Sequence, residues 1–453
     1  MAPERQFPSW TLLLAVCSVG IGGTFQYGYN VSIINAPTQH IHKFLNETWA
    51  SRYHVELNPD LLTFLWSVIA SIFSLGGLCG ALIGGSMAIQ LGRKGALLMN
   101  NAIAILAALL MGISFPTGLF ELLIVGRFLV GINSGEGFPI PAFSTLWEIL
   151  GAEAYWPLLL SSSCVPAFAQ LLFLPWFPES PRYLLIDRGD ELSCAKALKR
   201  FHGSSQYQRE MEDIQRECSA LDGEKAKKPW QLFADRAVRW QLVTVIVVTM
   251  GQQLSGINAV RFDTWGLLID CVGRRYLILG GYLLMTLWSI VLTFSLTYQV
   301  YTRLSKYELK LSISLLFQEL YSWVPYVSMA SIFAFILSFG LGPGGITNTL
   351  TAEIFVQSSC PAACVIGGTV SWVSFFTIGM LFPFIVRGLK QYCFVVFLLE
   401  CSLVAAFIFL VIPETKNKSF LEIKKEFHKL NFGGKSKEKD TELNERSQLH
   451  DDY

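Results

Sequence analysis

Charge is what this chain has least of. Asp, Glu, Lys and Arg make up 15% of its 453 residues, against roughly 25% in soluble domains. The net charge is only +1, so nothing points to nucleic acid. The ten cysteines include no CxxC pair and no zinc-type spacing, and they read as free, buried thiols. The six histidines fall in loops and tails. His40 and His42 form the one close pair, which reads as solvated rather than metal-binding. No nucleophile motif, phosphate loop or ring-forming charge pattern occurs, so an enzyme or a channel finds little support and no cofactor is implied. A short apolar stretch ending in a small-residue cleavage site is also lacking. The first apolar stretch is long and runs into polar aromatic residues, which predicts a retained helix rather than a signal peptide.

Apolar residues are what the chain has in excess. They reach 52%, with 33 phenylalanines. Runs long enough to cross a bilayer, about 20 residues each, lie near 11–34, 63–90, 95–115, 154–177, 238–260, 276–299, 323–351, 362–386 and 391–412. Segment 119–150 is a weaker candidate, because it carries Glu121, Arg127, Glu136 and Glu148 with two prolines. These runs predict an all-α polytopic membrane protein. Two polar regions interrupt them: 178–237, dense in both charges, and the tail after Pro413, whose end reads as disordered. The expected domains are a transmembrane bundle over 1–177, a cytoplasmic helical linker over 178–237, a second bundle over 238–412 and a cytoplasmic tail over 413–453.

Basic residues at helix ends orient the chain. Arg93 and Lys94, Arg274 and Arg275, Lys416 and Lys418, and Arg182 with its neighbours all belong in the cytoplasm. Both termini then lie inside, in the plasma membrane, and the loop 35–62 lies outside. That loop holds Asn46-Glu47-Thr48, a glycosylation acceptor. The chain also repeats itself. Gly92-Arg93-Lys94 is echoed by Gly273-Arg274-Arg275, and Pro178-Glu179-Ser180-Pro181-Arg182 by Pro413-Glu414-Thr415-Lys416. Parallel repeats joined by a cytoplasmic segment suggest two similar bundles around a central site.

The stretch Met250–Ala259 is the most informative. It closes an apolar run, yet holds Gln252, Gln253, Ser255 and Asn258. Amides in hydrocarbon need partners, and polar residues in a membrane helix face a bundle interior or a watery cavity. Uncharged amides suit a neutral ligand with many hydroxyls better than an ion. They equally suit helix-to-helix glue, and the stretch alone leaves both open.

Taken together, Gly92-Arg93-Lys94, Gly126-Arg127, Pro178–Arg182, Gln252–Asn258, Gly273–Arg275 and Pro413–Lys416 resemble the sugar porter branch of the major facilitator superfamily. Phe25–Asn30, Asn46–Trp49 and Gly340–Pro343 resemble the fructose-handling branch of the animal facilitative hexose transporters. The resemblance implies a two-bundle fold and hexose transport by alternating-access uniport. By it, Gln252, Gln253 and Asn258 contact the sugar, with Tyr27 and Trp372 lining the same cavity. Asn348 stands where the family often has tryptophan. Gly342 and Pro343 would form a hinge. Arg93, Arg127, Arg182, Arg274 and Arg275 would form a cytoplasmic latch with Glu179, Glu353 and Glu414. Asn30 occupies the position of an aspartate in proton-driven relatives, which favours passive uniport.

The pattern breaks in two places. Between Gly135 and Tyr155 the expected helix five is missing, and between Asn258 and Leu268 most of helix eight. What remains at 260–272 spans only ~20 Å as a helix, against a hydrocarbon core of ~30 Å. The expectation is therefore an incomplete major facilitator fold, with about ten of the family's twelve helices and a cavity short of two walls. Two readings follow: a hexose carrier, or a truncated, non-transporting form of one.

Overall fold

The computed structural model describes residues 26–34, 37–134, 155–202, 229–255, 273–308, 323–355 and 359–415, with isolated positions within 14–18, 208–215 and 423–431. Among these the chain is helical, with no strand. It divides into two compact units. Unit 1 comprises Met1–Lys225, Gly256–Arg261 and Gly368–Cys393; unit 2 comprises Ala226–Ser255, Phe262–Gly367 and Phe394–Tyr453.

Seven helical stretches among the described residues are long and apolar enough to cross a membrane: Pro59–Gly84, Gln90–Thr117, Trp156–Trp176, Arg274–Val300, Val324–Thr351, Ala362–Leu389 and Cys393–Val411. All seven correspond to runs expected from the sequence. The runs 11–34 and 238–260 contribute shorter described helices, α1 (Gln26–Ile33) and α9 (Arg239–Leu254). The second half of 119–150 and the remnant 260–272 lie outside the described residues.

In unit 1, the segment expected to be an outer loop is largely a helix, α2 (Thr38–Tyr53). Its apolar positions Ile41, Phe44 and Leu45 are buried. Phe44 packs against Phe115 and Trp156, with ring centroids 5.6 and 5.7 Å apart. His42 is half-buried, edge-on to Trp66, and not solvated as its sequence neighbourhood suggested. Burial there pushes its imidazole below the usual range. Arg52, in the last turn, donates to the Gly118 carbonyl at 2.9 Å and to Glu121.

The long helix α3 (Pro59–Thr117) joins two apolar runs and breaks at Gly92, where φ is +82°. Pro59 opens it where a missing N–H costs nothing, and Asn58 caps it by accepting from the Asp60 amide. Its neighbour α4 (Phe120–Asn133) approaches at backbone distance. A Cβ on Gly76 would fall on the Phe128 carbonyl, one on Gly80 on that of Ile132, and one on Gly131 on that of Phe73. Small residues permit this packing, which supplies the van der Waals contact that holds helices together in lipid. Helices α5 (Trp156–Ser161) and α6 (Cys164–Phe173) complete the stretch before the polar region.

That region contains a small satellite core. Helix α7 (Glu191–His202) buries Cys194, Ala197, Leu198 and Phe201, a spacing that selects one helical face. Cys194 and Leu198 cluster with Leu185 and Ile214. Asp190 caps α7 by accepting from the Ser193 amide at 3.0 Å. That bond holds the carboxyl below the usual range. The cysteines described are all free, but only Cys194, Cys393 and Cys401 are buried; Cys17 and Cys364 are exposed. The expectation of uniformly buried thiols is corrected there. Exposure of apolar surface is what a helix destined for lipid shows.

Unit 2 contains the short helix α8 (Pro229–Ala234), α9, α10 (Arg274–Glu308), α11 (Val324–Phe339) and α12 (Gly345–Ile354). Helix α13 (Cys360–Leu389) runs from unit 2 into unit 1, and α14 (Cys393–Val411) returns to unit 2. Between α11 and α12 the chain makes a π-helical turn, Gly340–Gly344, with Pro343 inside it. Proline removes a donor and disturbs the regular ladder. Gly281 of α10 lies directly against this turn, and a Cβ there would meet Gly342 Cα at 2.8 Å.

Candidate functional site

The amide-rich end of α9 meets the π-turn. Gln252 and Gln253 are both buried, at 4% and 7% exposure. Gln252 Nε2 donates to the Gly344 carbonyl at 3.3 Å, and Ser255 Oγ donates to the Gln252 carbonyl at 2.9 Å. The structure thus brings Gln252 together with the Gly340–Gly344 turn, which holds the expected hinge residues Gly342 and Pro343. Asn258 lies outside the described residues. Tyr27 and Asn348 stand on α1 and α12, with backbones alone described.

Trp372 belongs to the part of α13 in unit 1. Its ring lies edge-on to Phe73 at 6.3 Å and beside Phe375, over the Cα of Gly77, where any Cβ would strike it. The guanidinium of Arg127 sits over the Phe73 ring, 5.0 Å from its centroid. Arg127 is only 2% exposed. Its Nη1 donates to the Asn30 carbonyl at 2.9 Å, near the C-terminal end of α1, where the helix dipole favours a cation. Asn30 Nδ2 donates to the Gln26 carbonyl at 2.8 Å, and Gln26 Nε2 to the Ser163 carbonyl at 3.3 Å. Asn30 Oδ1, Gln26 Oε1 and Arg127 Nε have no protein partner. The resemblance groups Arg127 with the latch. Its described bond goes instead to a carbonyl inside unit 1.

The repeated glycine-basic clusters take the same form twice. At Gly92 the backbone turns with φ +82°, and Glu179 accepts from the Lys94 amide at 2.9 Å. At Gly273 φ is +100°, and Glu414 accepts from the Arg274 and Arg275 amides at 3.0 and 3.2 Å. Both carboxylates therefore cap the N-terminus of the helix that follows, where orphan N–H groups and the dipole favour an anion. Of the expected side-chain pairs, Arg274 with Glu353 forms, at 3.0 Å. Glu353 also accepts from Thr415 Oγ1 at 2.6 Å. The Arg275 guanidinium goes to the Phe409 carbonyl at 2.6 Å. Arg93 and Arg182 are exposed. Lys94, outside the expected set, donates from Nζ to the Pro175 and Phe177 carbonyls, each at 2.8 Å.

Three features escape a reading of the sequence. Arg387 pairs with Asp60 within unit 1, across 327 positions of sequence. Glu400 sits inside the apolar helix α14 with Oε1 buried and unpartnered. Tyr282 on α10 buries its hydroxyl in the same condition. A lone carboxylate in a nineteen-residue apolar run is a signal the sequence does carry. Nothing local marks the other two. Asn46 is exposed on α2. No group of three or more metal-ligating side chains occurs among the described residues.

Buried amides at a broken helix, glycine-sealed packing and seven apolar helices define a multi-pass membrane carrier. The chain belongs to the sugar (and other) transporter family, whose model matches residues 15–147, 137–262 and 264–427. The human solute carrier family 2, facilitated glucose transporter member 11, is 40% identical to it, covering 95% of this chain and 96% of that protein. Human member 9 is 39% identical, covering 94% and 87%, and human member 5 is 37% identical, covering 93% of each. The inward-open xylose transporter XylE from E. coli superposes with a TM-score of 0.66 at 17% identity, covering 91% of this chain and 99% of that one. XylE bound to 6-bromo-6-deoxy-D-glucose, a major facilitator superfamily protein, superposes with a TM-score of 0.61. The fold is that of the major facilitator superfamily.

Proposed function

We propose that this protein is a facilitative hexose carrier, working by alternating access as a passive uniporter of fructose, glucose or both. The observation that carries this is the buried Gln252–Gln253 pair beside the Gly340–Gly344 turn. Paired amide donors and acceptors match sugar hydroxyls. The Gln252 bond to Gly344 ties them to a segment whose helix is already interrupted, so ligand contact and helix movement share one hydrogen bond. Relatives named as facilitated glucose transporters support the substrate class. Asn30, an amide with no proton to exchange, supports uniport. In this reading Asn258, Tyr27, Trp372 and Asn348 complete the sugar site. Arg274 with Glu353, and the helix caps Glu179 and Glu414, hold the cytoplasmic side, with Arg93, Arg127, Arg182 and Arg275 around them. The protein then sits in the plasma membrane, termini inside, with 178–237 as a cytoplasmic linker.

A second reading is favoured by the alignment. The match to human member 11 runs over 493 positions, against 453 residues here, so at least 40 aligned positions have no residue in this chain. The family match also breaks near 137–147 and at 262–264, beside the two expected losses. This supports a carrier short of helices five and eight that transports little or nothing as it stands.

Uptake of radiolabelled fructose and glucose into proteoliposomes tests both readings. Restoring the missing helices from a complete relative should give saturable uptake that a pH gradient does not drive. Gln253→Ala should then weaken apparent affinity ten- to a hundredfold, about 1–3 kcal/mol for a buried polar group left unpaired. Robust uptake by the chain as given would sink the truncation reading. Uptake that survives Gln253→Ala unchanged would sink the assignment of the sugar site.

A further inference from the structure

Unit 2 buries a second set of polar atoms, which the amide site does not use. Tyr282 is wholly buried on α10, and its hydroxyl has no hydrogen-bond partner. Glu400 Oε1 on α14 is likewise buried and unpartnered. Among the described residues its second oxygen meets only the weak Cys401 thiol, at 3.4 Å. The two side chains belong to one locus. A Cβ on Gly251 would lie 2.8 Å from the Tyr282 hydroxyl and 2.8 Å from Val404 Cγ2. Val404 stands one turn beyond Glu400 on the same face of α14, and Gly251 precedes Gln252. The Glu400 carboxyl and the Cys401 thiol are within electrostatic reach of the Tyr282 hydroxyl.

An ionised carboxylate in the interior of a membrane bundle costs several kcal/mol unless a cation or several donors meet it. Among the described residues the neighbouring helices offer no cation here. Helix α9 carries no charged side chain after Arg239. Between Tyr276 and Tyr298, α10 carries Tyr282 as its sole titratable group. At the start of α10, Arg274 is engaged by Glu353 and Arg275 by the Phe409 carbonyl. On α14 itself the other titratable groups are Cys393 and Cys401. A phenolic oxygen can accept from a protonated carboxyl and can donate to an ionised one. Tyr282 is thus a partner for either state.

We propose that Glu400, partnered by Tyr282, is a proton-binding site in the interior of unit 2: the carboxyl holds its proton while the helices close around it and releases it when water enters. Gly251, which the Tyr282 hydroxyl abuts, directly precedes the candidate sugar amide Gln252, so pH acts on the opening of this half of the carrier. It differs from proton coupling at the first helix, which Asn30 removes. The inference rests on the buried Oε1 of the half-buried Glu400 and not on the chain's transporting anything.

The test uses the purified full chain in lipid nanodiscs. Dicyclohexylcarbodiimide, an apolar reagent, reacts with protonated carboxyls within the bilayer. The acid proton moves to a carbodiimide nitrogen, the carboxyl oxygen adds to the central carbon, and an O-to-N acyl shift gives an N-acylurea with no leaving group. Mass spectrometry of the Cys393–Val411 peptide should show Glu400 modified at neutral pH, with labelling lost as pH rises. A water-soluble carbodiimide should leave it untouched. Infrared spectra should show a protonated carbonyl band that Glu400→Gln removes, and Tyr282→Phe should move the pH midpoint of labelling. Failure to label Glu400 at any pH, or a carboxylate band assigned to it at neutral pH, overturns the proposal. A midpoint unmoved by Tyr282→Phe overturns the role of Tyr282. Where Glu400→Gln does not fold, labelling of the unaltered chain against pH still decides.

Discussion

At the scale of single residues, the same glycine has opposite meanings in different places. Gly273 holds a backbone angle that side-chain-bearing residues rarely adopt, and a Cβ there would sit 2.9 Å from Glu414 Oε2. Gly273→Ala should destabilise the protein by about 1–3 kcal/mol. Gly280, two turns further into α10, has open space where a Cβ would stand, with nothing within 4 Å. Gly280→Ala should be neutral or stabilising by up to about 1 kcal/mol, because alanine restricts the unfolded chain and favours the helix. Thermal unfolding of the two purified variants in detergent separates them, and equal losses would contradict the capping geometry. The two glycines look alike in the sequence. The echo of Gly92 and Gly273 was legible as a repeat, but the job of Glu179 and Glu414 was not. Sequence offered arginines as their partners; folding adds backbone amides, because an N-terminal helix turn presents several aligned donors.

At the scale of elements, helix contacts in this protein are close where they are glycine-lined. Gly76→Leu would drive a side chain into the Phe128 carbonyl. Backbone cannot yield as a flexible side chain can, so the α3–α4 pair should separate. The expected outcome is loss of monodisperse protein in detergent, read by size-exclusion profile, while Gly84→Ala, with open space around it, leaves the profile unchanged. Helix α7 makes a different prediction, outside the membrane. Asp190 has its carboxyl pKa depressed by the Ser193 amide. Its contribution to stability is therefore present above the unfolded carboxylate pKa, roughly 3.9, and lost as pH falls through the lower folded value. Amide exchange in the first turn of α7 should quicken as pH is lowered through that window, after correction for intrinsic exchange. In Asp190→Ala it should be faster already at neutral pH and lack that dependence.

At the scale of the whole molecule, the glycosylation acceptor reports orientation. Asn46 is exposed on α2, so Asn46→Gln should abolish a glycosidase-sensitive mass shift in cells. An unchanged mobility would count against placing α2 outside. The sequence by itself determined the apolar helices, their membrane setting, the internal repeat and the family, because those properties depend on composition and on neighbours within a turn or two. Its motifs also put Arg274 and Glu353 in one set of charged residues, of which this pair forms, but the meeting of Gln252 with the Gly340–Gly344 turn came from the fold. Only the tertiary structure decided that Arg127 turns to the Asn30 carbonyl, that Asp60 meets Arg387, and that Tyr282 and Glu400 share one buried locus. Those pairings join residues far apart in the chain, and which of many possible partners a buried polar group finds is set by how the helices pack around it.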